Sequence, residues 1–134
     1  TKNVTSKKQQ GDIMIDSMLA VALGGAIGAS IRFGVNQLML NVFNAPLFWG
    51  TLLVNVVGCF LMGLSYHYLV THGGVSEATK LFVTVGLLGA LTTWSTFSME
   101  TVLMIQNDQG LKAIGYTLIT TICCFSAFWI GVKT

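Results

Sequence analysis

Three observations predict an all-α integral membrane fold with four transmembrane helices. The 134-residue chain is 53% hydrophobic and only 9% charged. Its mean hydropathy is +0.72. Its apolar residues gather into four stretches of about 20 residues or more, the length a helix needs to cross the hydrocarbon core of a bilayer. So little polar surface cannot cover a water-soluble domain.

The elements follow in order. Residues 1–13 are polar and carry Lys2, Lys7 and Lys8. They are expected to be a disordered tail or an appended remnant ahead of Met14, with residues 14–134 forming a single four-helix transmembrane domain. The first span is read from Ser17 to Met39. A cleaved signal sequence fits it badly, because Arg32 and a long apolar continuation stand where a cleavage region would be. The second span runs from Phe48 to Val70, the third from Ala78 to Gln106 and the fourth from Leu111 to Val132. The connections between them are short: Asn41 to Leu47 with the only proline, Pro46; Thr71 to Glu77 with Gly73 and Gly74; and Asn107 to Gly110. Short connections make neighbouring helices antiparallel and leave no room for a soluble catalytic domain.

The third span is long, and between Gly86 and Glu100 it is polar and broken by glycine. Backbone groups released from a helix in hydrocarbon need other partners, so a break there is tolerated only where protein or a cavity supplies them. The run is therefore the first candidate site. Arg32, Asn55 and Glu100 are costly facing lipid and should face protein or water. Asn55 shares a helical face with Thr51, and Tyr116, Thr120 and Cys124 recur at i, i+4 and i+8. Ser95 and Thr96 add hydroxyls beside the break. Any one hydroxyl can bond back to its own helix, but stripes on several helices suggest a narrow path on which a small anion trades water for protein donors.

Other residues read more plainly. Gly24 with Gly28, and Gly25 with Ala29, have the small-residue spacing that lets helix backbones approach closely. Cys59, Cys123 and Cys124 lack the spacing of a metal cluster or disulfide framework and read as small buried hydrophobes. His67 and His72 read as interfacial residues. With the N-terminus and second loop on one side, that side carries Lys80 and Lys133 plus the tail lysines, against Lys112 on the other. Without the tail the bias is two to one, weak enough for insertion in both orientations and hence for an antiparallel homodimer with its two-fold axis in the membrane plane. A native tail would instead fix the N-terminus inside. No nucleotide-binding loop or catalytic constellation is visible, so the chain is not expected to be an enzyme.

Three segments together carry a family resemblance: Gly24-Gly-Ala-Ile-Gly-Ala-Ser-Ile-Arg-Phe33, Gly50-Thr-Leu-Leu-Val-Asn-Val-Val-Gly58 and Gly86-Leu-Leu-Gly-Ala-Leu-Thr-Thr-Trp-Ser-Thr-Phe97. In this order and length they resemble the Fluc/CrcB family of small fluoride ion channels, over about Leu19 to Ile130. The resemblance implies an antiparallel, dual-topology homodimer in the inner plasma membrane of a bacterium. Its two pores pass fluoride passively down its gradient and protect the cell from fluoride toxicity. It also implies that Asn55 presents its side-chain amide to fluoride, that Trp94 and Phe97 line the ion path with their ring edges, and that Tyr116, Thr120, Ser95 and Thr96 form a hydroxyl track with Cys124 at its third position. Arg32 looks like the vestibule arginine of the family. A structural sodium ion at the dimer interface would be held by the main-chain carbonyls of Gly89 and Thr92 from each subunit. The chain departs from the family in having Trp94 where the motif has phenylalanine, a larger ring that adds an indole donor and can crowd the passage. A small multidrug-type proton-coupled exporter has similar size but needs a central acid in the first helix, where this chain has Arg32. A non-transporting assembly subunit is the third reading.

Overall fold

The computed structural model describes residues 2–134. Among them every regular element is helical: α1 (Lys2–Asn41), α2 (Leu47–Ser65) running into a π-helical turn (Tyr66–Thr71), α3 (Glu77–Leu81), a second π-helical segment (Phe82–Leu88), α4 (Gly89–Leu91), α5 (Trp94–Gln106) and α6 (Gly110–Lys133). Four helical spans are long and apolar enough to cross a membrane: Ser6–Asn41, Leu47–Thr71, Glu77–Gln106 and Gly110–Lys133. These contain the four stretches expected from hydropathy.

At its N-terminus the structure differs from the expected disordered tail, since α1 begins at Lys2 and passes through Gly11 without interruption. Once a long helix has nucleated, each further turn adds hydrogen bonds without a new nucleation cost. The π-helical turns were not foreseen either, because hydropathy carries no signal for them. The connections hold the only positive-φ residues of the described chain, Asn44, Gly73, Gly74 and Asp108, residue types that adopt this conformation at low cost. Ser76 caps α3 by accepting a hydrogen bond from the Thr79 N–H at 3.2 Å.

Glycines set how the spans pack. A side chain at Gly24 would collide with the Phe82 carbonyl, and one at Gly28 with the Leu87 carbonyl, so the Gly-x-x-x-Gly stripe is where α1 meets the third span. Gly86 returns the contact against Val21, Gly24 and Gly25. The parallel stripe is different: a Cβ on Gly25 would meet nothing within 4 Å. The second crossing pairs Gly63 of α2 with Gly131 of α6, each lying against the other's backbone. Two buried apolar clusters form the core, one of Val54, Leu88 and Leu91 and one of Phe97, Met104, Ala113 and Tyr116. Much of the remaining large apolar surface is exposed, including Leu23, Ile27, Ile122 and Trp129, which suits a surface facing lipid or another helix-bearing chain rather than water.

Gly63→Val is expected to destabilise the protein by about 1–3 kcal/mol through overpacking. Gly115→Ala, at a glycine with no neighbour within 4 Å, is expected to be neutral or stabilising by up to about 1 kcal/mol. Denaturant unfolding of the purified variants in detergent measures both, and equal effects would contradict this account of the crossing.

Candidate functional site: a broken helix beside a polar-lipped cavity

The third span stops being helical at Thr92 (φ −80, ψ 156) and Thr93 (φ −152, ψ 121), then resumes at Trp94. Extended conformation suits the β-branched Thr-Thr pair. What holds the break is supplied by other elements. Asn55 of α2 grips Thr93 on both sides, its Oδ1 accepting from the Thr93 N–H at 2.7 Å and its Nδ2 donating to the Thr93 carbonyl at 3.1 Å. On the α1 side, Arg32 Nε donates to the Ala90 carbonyl at 3.0 Å. Thr93 caps α5, its Oγ1 accepting from the Thr96 N–H at 3.2 Å. Gly58, close to one turn after Asn55, leaves the space that the Thr92 methyl occupies.

These bonds redirect backbone donors. In an unbroken helix the Thr93 N–H would bond to the Gly89 carbonyl and the Thr96 N–H to the Thr92 carbonyl; here both go to side chains. Gly89 and Thr92 are two of the four carbonyls, with Ala90 and Leu91, that lose their ordinary helical donors at the break, and Arg32 supplies a donor to Ala90. They are hard oxygen ligands, the type that suits an alkali cation.

Beside the break lies a cavity of about 520 Å³, lined by residues of α2, the break, α5 and α6. Asn55, Trp94, Phe97, Thr120 and Cys124 reach it from the expected set; Cys59, Thr121, Phe125 and Phe128 complete much of its wall. Trp94 is 76% exposed in the single chain, with its ring 5.1 Å from that of the buried Phe97 and inclined at 50°. Ser95 and Thr96 do not line the cavity. Their hydroxyls gather around Thr93 Oγ1, each at 3.2 Å. Arg32 likewise sits at the break, engaged with its backbone.

Tyr116 lies deeper, 5.1 Å from Phe97 and 5.5 Å edge-on to Phe48. Its hydroxyl donates to Glu100 Oε2 at 2.8 Å, while Thr51 donates to Glu100 Oε1 at 2.8 Å. Glu100 is buried, and the only ion pair among the described residues is Lys80 with Glu77 at 3.9 Å. Two hydroxyls, rather than a cation, thus satisfy the acid. Its sequence signal was its position within a span; that it joins the Thr51 and Tyr116 stripes was not legible, because their alignment depends on how α2, α5 and α6 pack.

The structure also sorts the hydroxyls. Ser98, Thr101, Thr117 and Thr121 bond back to carbonyls of their own helices, as isolated membrane hydroxyls commonly do. Thr120 does not: its Oγ1 is buried without a hydrogen-bond partner among the described residues, and its residue lines the cavity. A buried hydroxyl left unpaired costs about 1–3 kcal/mol, which a bound hydrogen-bond acceptor would recover.

The fold and site define a multi-pass membrane protein built around a broken helix and an intramembrane cavity edged by hydrogen-bond donors. Its sequence matches the family model described as CrcB-like protein, Camphor Resistance (CrcB), over residues 19–132; the chain belongs to this family. Among its relatives is a protein named fluoride-specific ion channel FluC from Shewanella piezotolerans, 43% identical over 120 residues, covering 87% of this chain and 94% of the relative. Another of the same name, from Shewanella sp. strain ANA-3, is 45% identical over 115 residues, 85% of this chain and 92% of the relative.

Thr51→Val and Tyr116→Phe are each expected to cost about 1–3 kcal/mol by leaving a buried Glu100 oxygen without its hydroxyl donor. The double variant should be non-additive by at least about 0.5 kcal/mol, since both act through one carboxylate. Unfolding free energies in detergent give this cycle, and strict additivity would separate the two contacts.

Proposed function

We propose that this chain is a passive, selective fluoride channel that lets the ion leave the cell and limits fluoride toxicity. The observation that carries the reading is Thr120: a buried, unpartnered donor in the same cavity as the Asn55 amide and the Phe97 and Trp94 rings, in a chain more than 40% identical to fluoride-specific channels. Fluoride is small and strongly hydrated, so entry requires donors that replace water without binding too tightly for release. The second Asn55 amide hydrogen, the Thr120 hydroxyl and positive aromatic edges can do this without a full positive charge. A narrow passage would exclude larger halides. Channel function requires no reaction centre, and the protein is not an enzyme.

The finer reading is an antiparallel homodimer with two pores in the inner membrane of a bacterium. Supporting it are the weak lysine bias of the loops, the exposure of Trp94 beside the cavity, and the carbonyl pair at the break. A second chain related by a two-fold axis would bring four carbonyls, from Gly89 and Thr92 of each chain, around one sodium ion. That ion would supply structural charge to the interface, while Asn55 and Arg32 keep the break open. Ser95, Thr96 and Tyr116 would act at the edges of the path, through Thr93 and Glu100, more than in the cavity itself. Family membership removes the support for the proton-coupled exporter.

Purified protein in liposomes should release fluoride, followed by electrode, in a valinomycin-dependent manner without releasing chloride. Asn55→Asp is expected to reduce the rate about a thousand-fold, since unit charges 4 Å apart repel by about 4 kcal/mol at an effective dielectric constant of 20. Thr120→Val is expected to slow efflux about ten-fold with stability unchanged or raised, because it removes an unpaired buried group. Normal efflux by both folded variants would take these residues off the path.

A further inference from the structure

His67 and His72 stand five residues apart, a spacing that on an α-helix turns two side chains about 140° away from each other. The second span ends differently. From Tyr66 to Thr71 it is a π-helix, whose hydrogen bonds link residues five apart, and the two histidines return to one side. Their ring centres are 4.7 Å apart at an interplanar angle of 58°. His72 Nδ1 lies 2.7 Å from the His67 carbonyl oxygen. A carbonyl only accepts, so Nδ1 carries the proton and donates, which leaves the lone pair on Nε2. Among the described residues the His67 ring makes no hydrogen bond, since it is the His67 carbonyl that accepts from His72 and from the Thr71 hydroxyl. Tyr68 braces both rings, edge-on to His67 at 4.8 Å and stacked on His72 at 6.0 Å, and its own hydroxyl donates to the Thr134 carbonyl at 3.3 Å. His72 is exposed and His67 half-buried, and neither lines the cavity.

From this juxtaposition we propose that His67 and His72 form a two-imidazole site for Cu2+ or Ni2+ at the loop end of the second span, and that the bound ion pins the π-helical turn. The hydrogen bond on His72 Nδ1 is the device that orients metal-binding histidines, whose second ring N–H characteristically goes to a carbonyl or carboxylate. The ring separation also suits one shared ion. At a metal–nitrogen distance of about 2.0–2.1 Å each ring centre stands roughly 3.2 Å from the ion, so two imidazoles at right angles have centres about 4.5 Å apart and a tetrahedral pair about 5.2 Å. The observed 4.7 Å lies nearer the right-angled case. Among the described residues no third histidine, cysteine, aspartate or glutamate completes the group, so water fills the other positions. Structural zinc sites are closed by four protein ligands, whereas tetragonal Cu2+ and Ni2+ take imidazole together with oxygen donors. An α-helical ending to the span would turn the two rings apart, so the ion binds the π-helical form and stabilises it by mass action. The site stands or falls independently of the channel reading.

The test is a calorimetric titration of the full-length protein, free of any affinity tag, with Ni2+ in detergent, beside an electron paramagnetic resonance spectrum of the same protein with Cu2+. Expected are about one Ni2+ bound per chain and a Cu2+ signal carrying the couplings of two imidazole nitrogens. His67→Gln and His72→Gln should each weaken Ni2+ binding about 100-fold, because the second imidazole of the pair binds intramolecularly. Hydrogen exchange followed by mass spectrometry reads the turn itself, and the amides of Tyr66–Thr71 should exchange more slowly once Ni2+ is bound. Absence of Ni2+ binding, equal affinity in the unaltered protein and both variants, or a Cu2+ signal with one nitrogen would overturn the site. The Cu2+ spectrum needs no variant, so that outcome is decided even where a variant fails to fold. Full Ni2+ occupancy with unchanged exchange in the turn would leave the site and overturn the pinning.

Discussion

Everything around the site depends on one constraint: peptide groups released from a helix inside hydrocarbon must be satisfied by protein. The chain meets it with a two-sided amide, Asn55 bonding both the N–H and the carbonyl of Thr93, and with Arg32 on the Ala90 carbonyl. Each unsatisfied group in such a medium costs several kcal/mol. The break is thus a joint product of three spans and cannot persist in the third alone. Holding it open lets α5 begin at Trp94 and places Phe97 against Tyr116 of α6.

The same packing turns scattered hydroxyls into two groups with different jobs. Thr51 and Tyr116 are committed to Glu100, which fixes α2, α5 and α6 relative to one another around a buried acid. Thr120, one turn along α6 from Tyr116, has no such commitment and faces the cavity. A free donor next to a satisfied network suits transport, because the network is rigid and the free donor is available to a passing ion. Asn55 sits between these groups: its amide bonds both sides of Thr93, and its residue also lines the cavity.

Much of this was legible in the sequence, and the limits have physical causes. Hydropathy located all four spans because a membrane helix must be apolar for a set length. The break was legible in its glycines and polar run, and Gly24 with Gly28 in their spacing. Residue type could not tell which hydroxyls bond to their own helix, or that those of Ser95 and Thr96 gather around Thr93. Nor could it show that Asn55 and Arg32 hold the break's backbone, because that depends on how α1 and α2 pack against the third span. Gly25 carried the same pattern as Gly24 without meeting a partner, since a spacing rule marks a stripe but not what lies opposite.

The central claim is that the donors left free by this network receive the ion. Solid-state fluorine NMR of the protein in lipid bilayers with fluoride tests it directly, by magnetisation transfer from bound fluoride to neighbouring protons. The account predicts a bound-fluoride resonance that transfers to the Thr120 hydroxyl and the Asn55 amide and weakens in Thr120→Val. A bound resonance that transfers to neither residue and is unchanged in that variant would place the ion elsewhere and contradict the account.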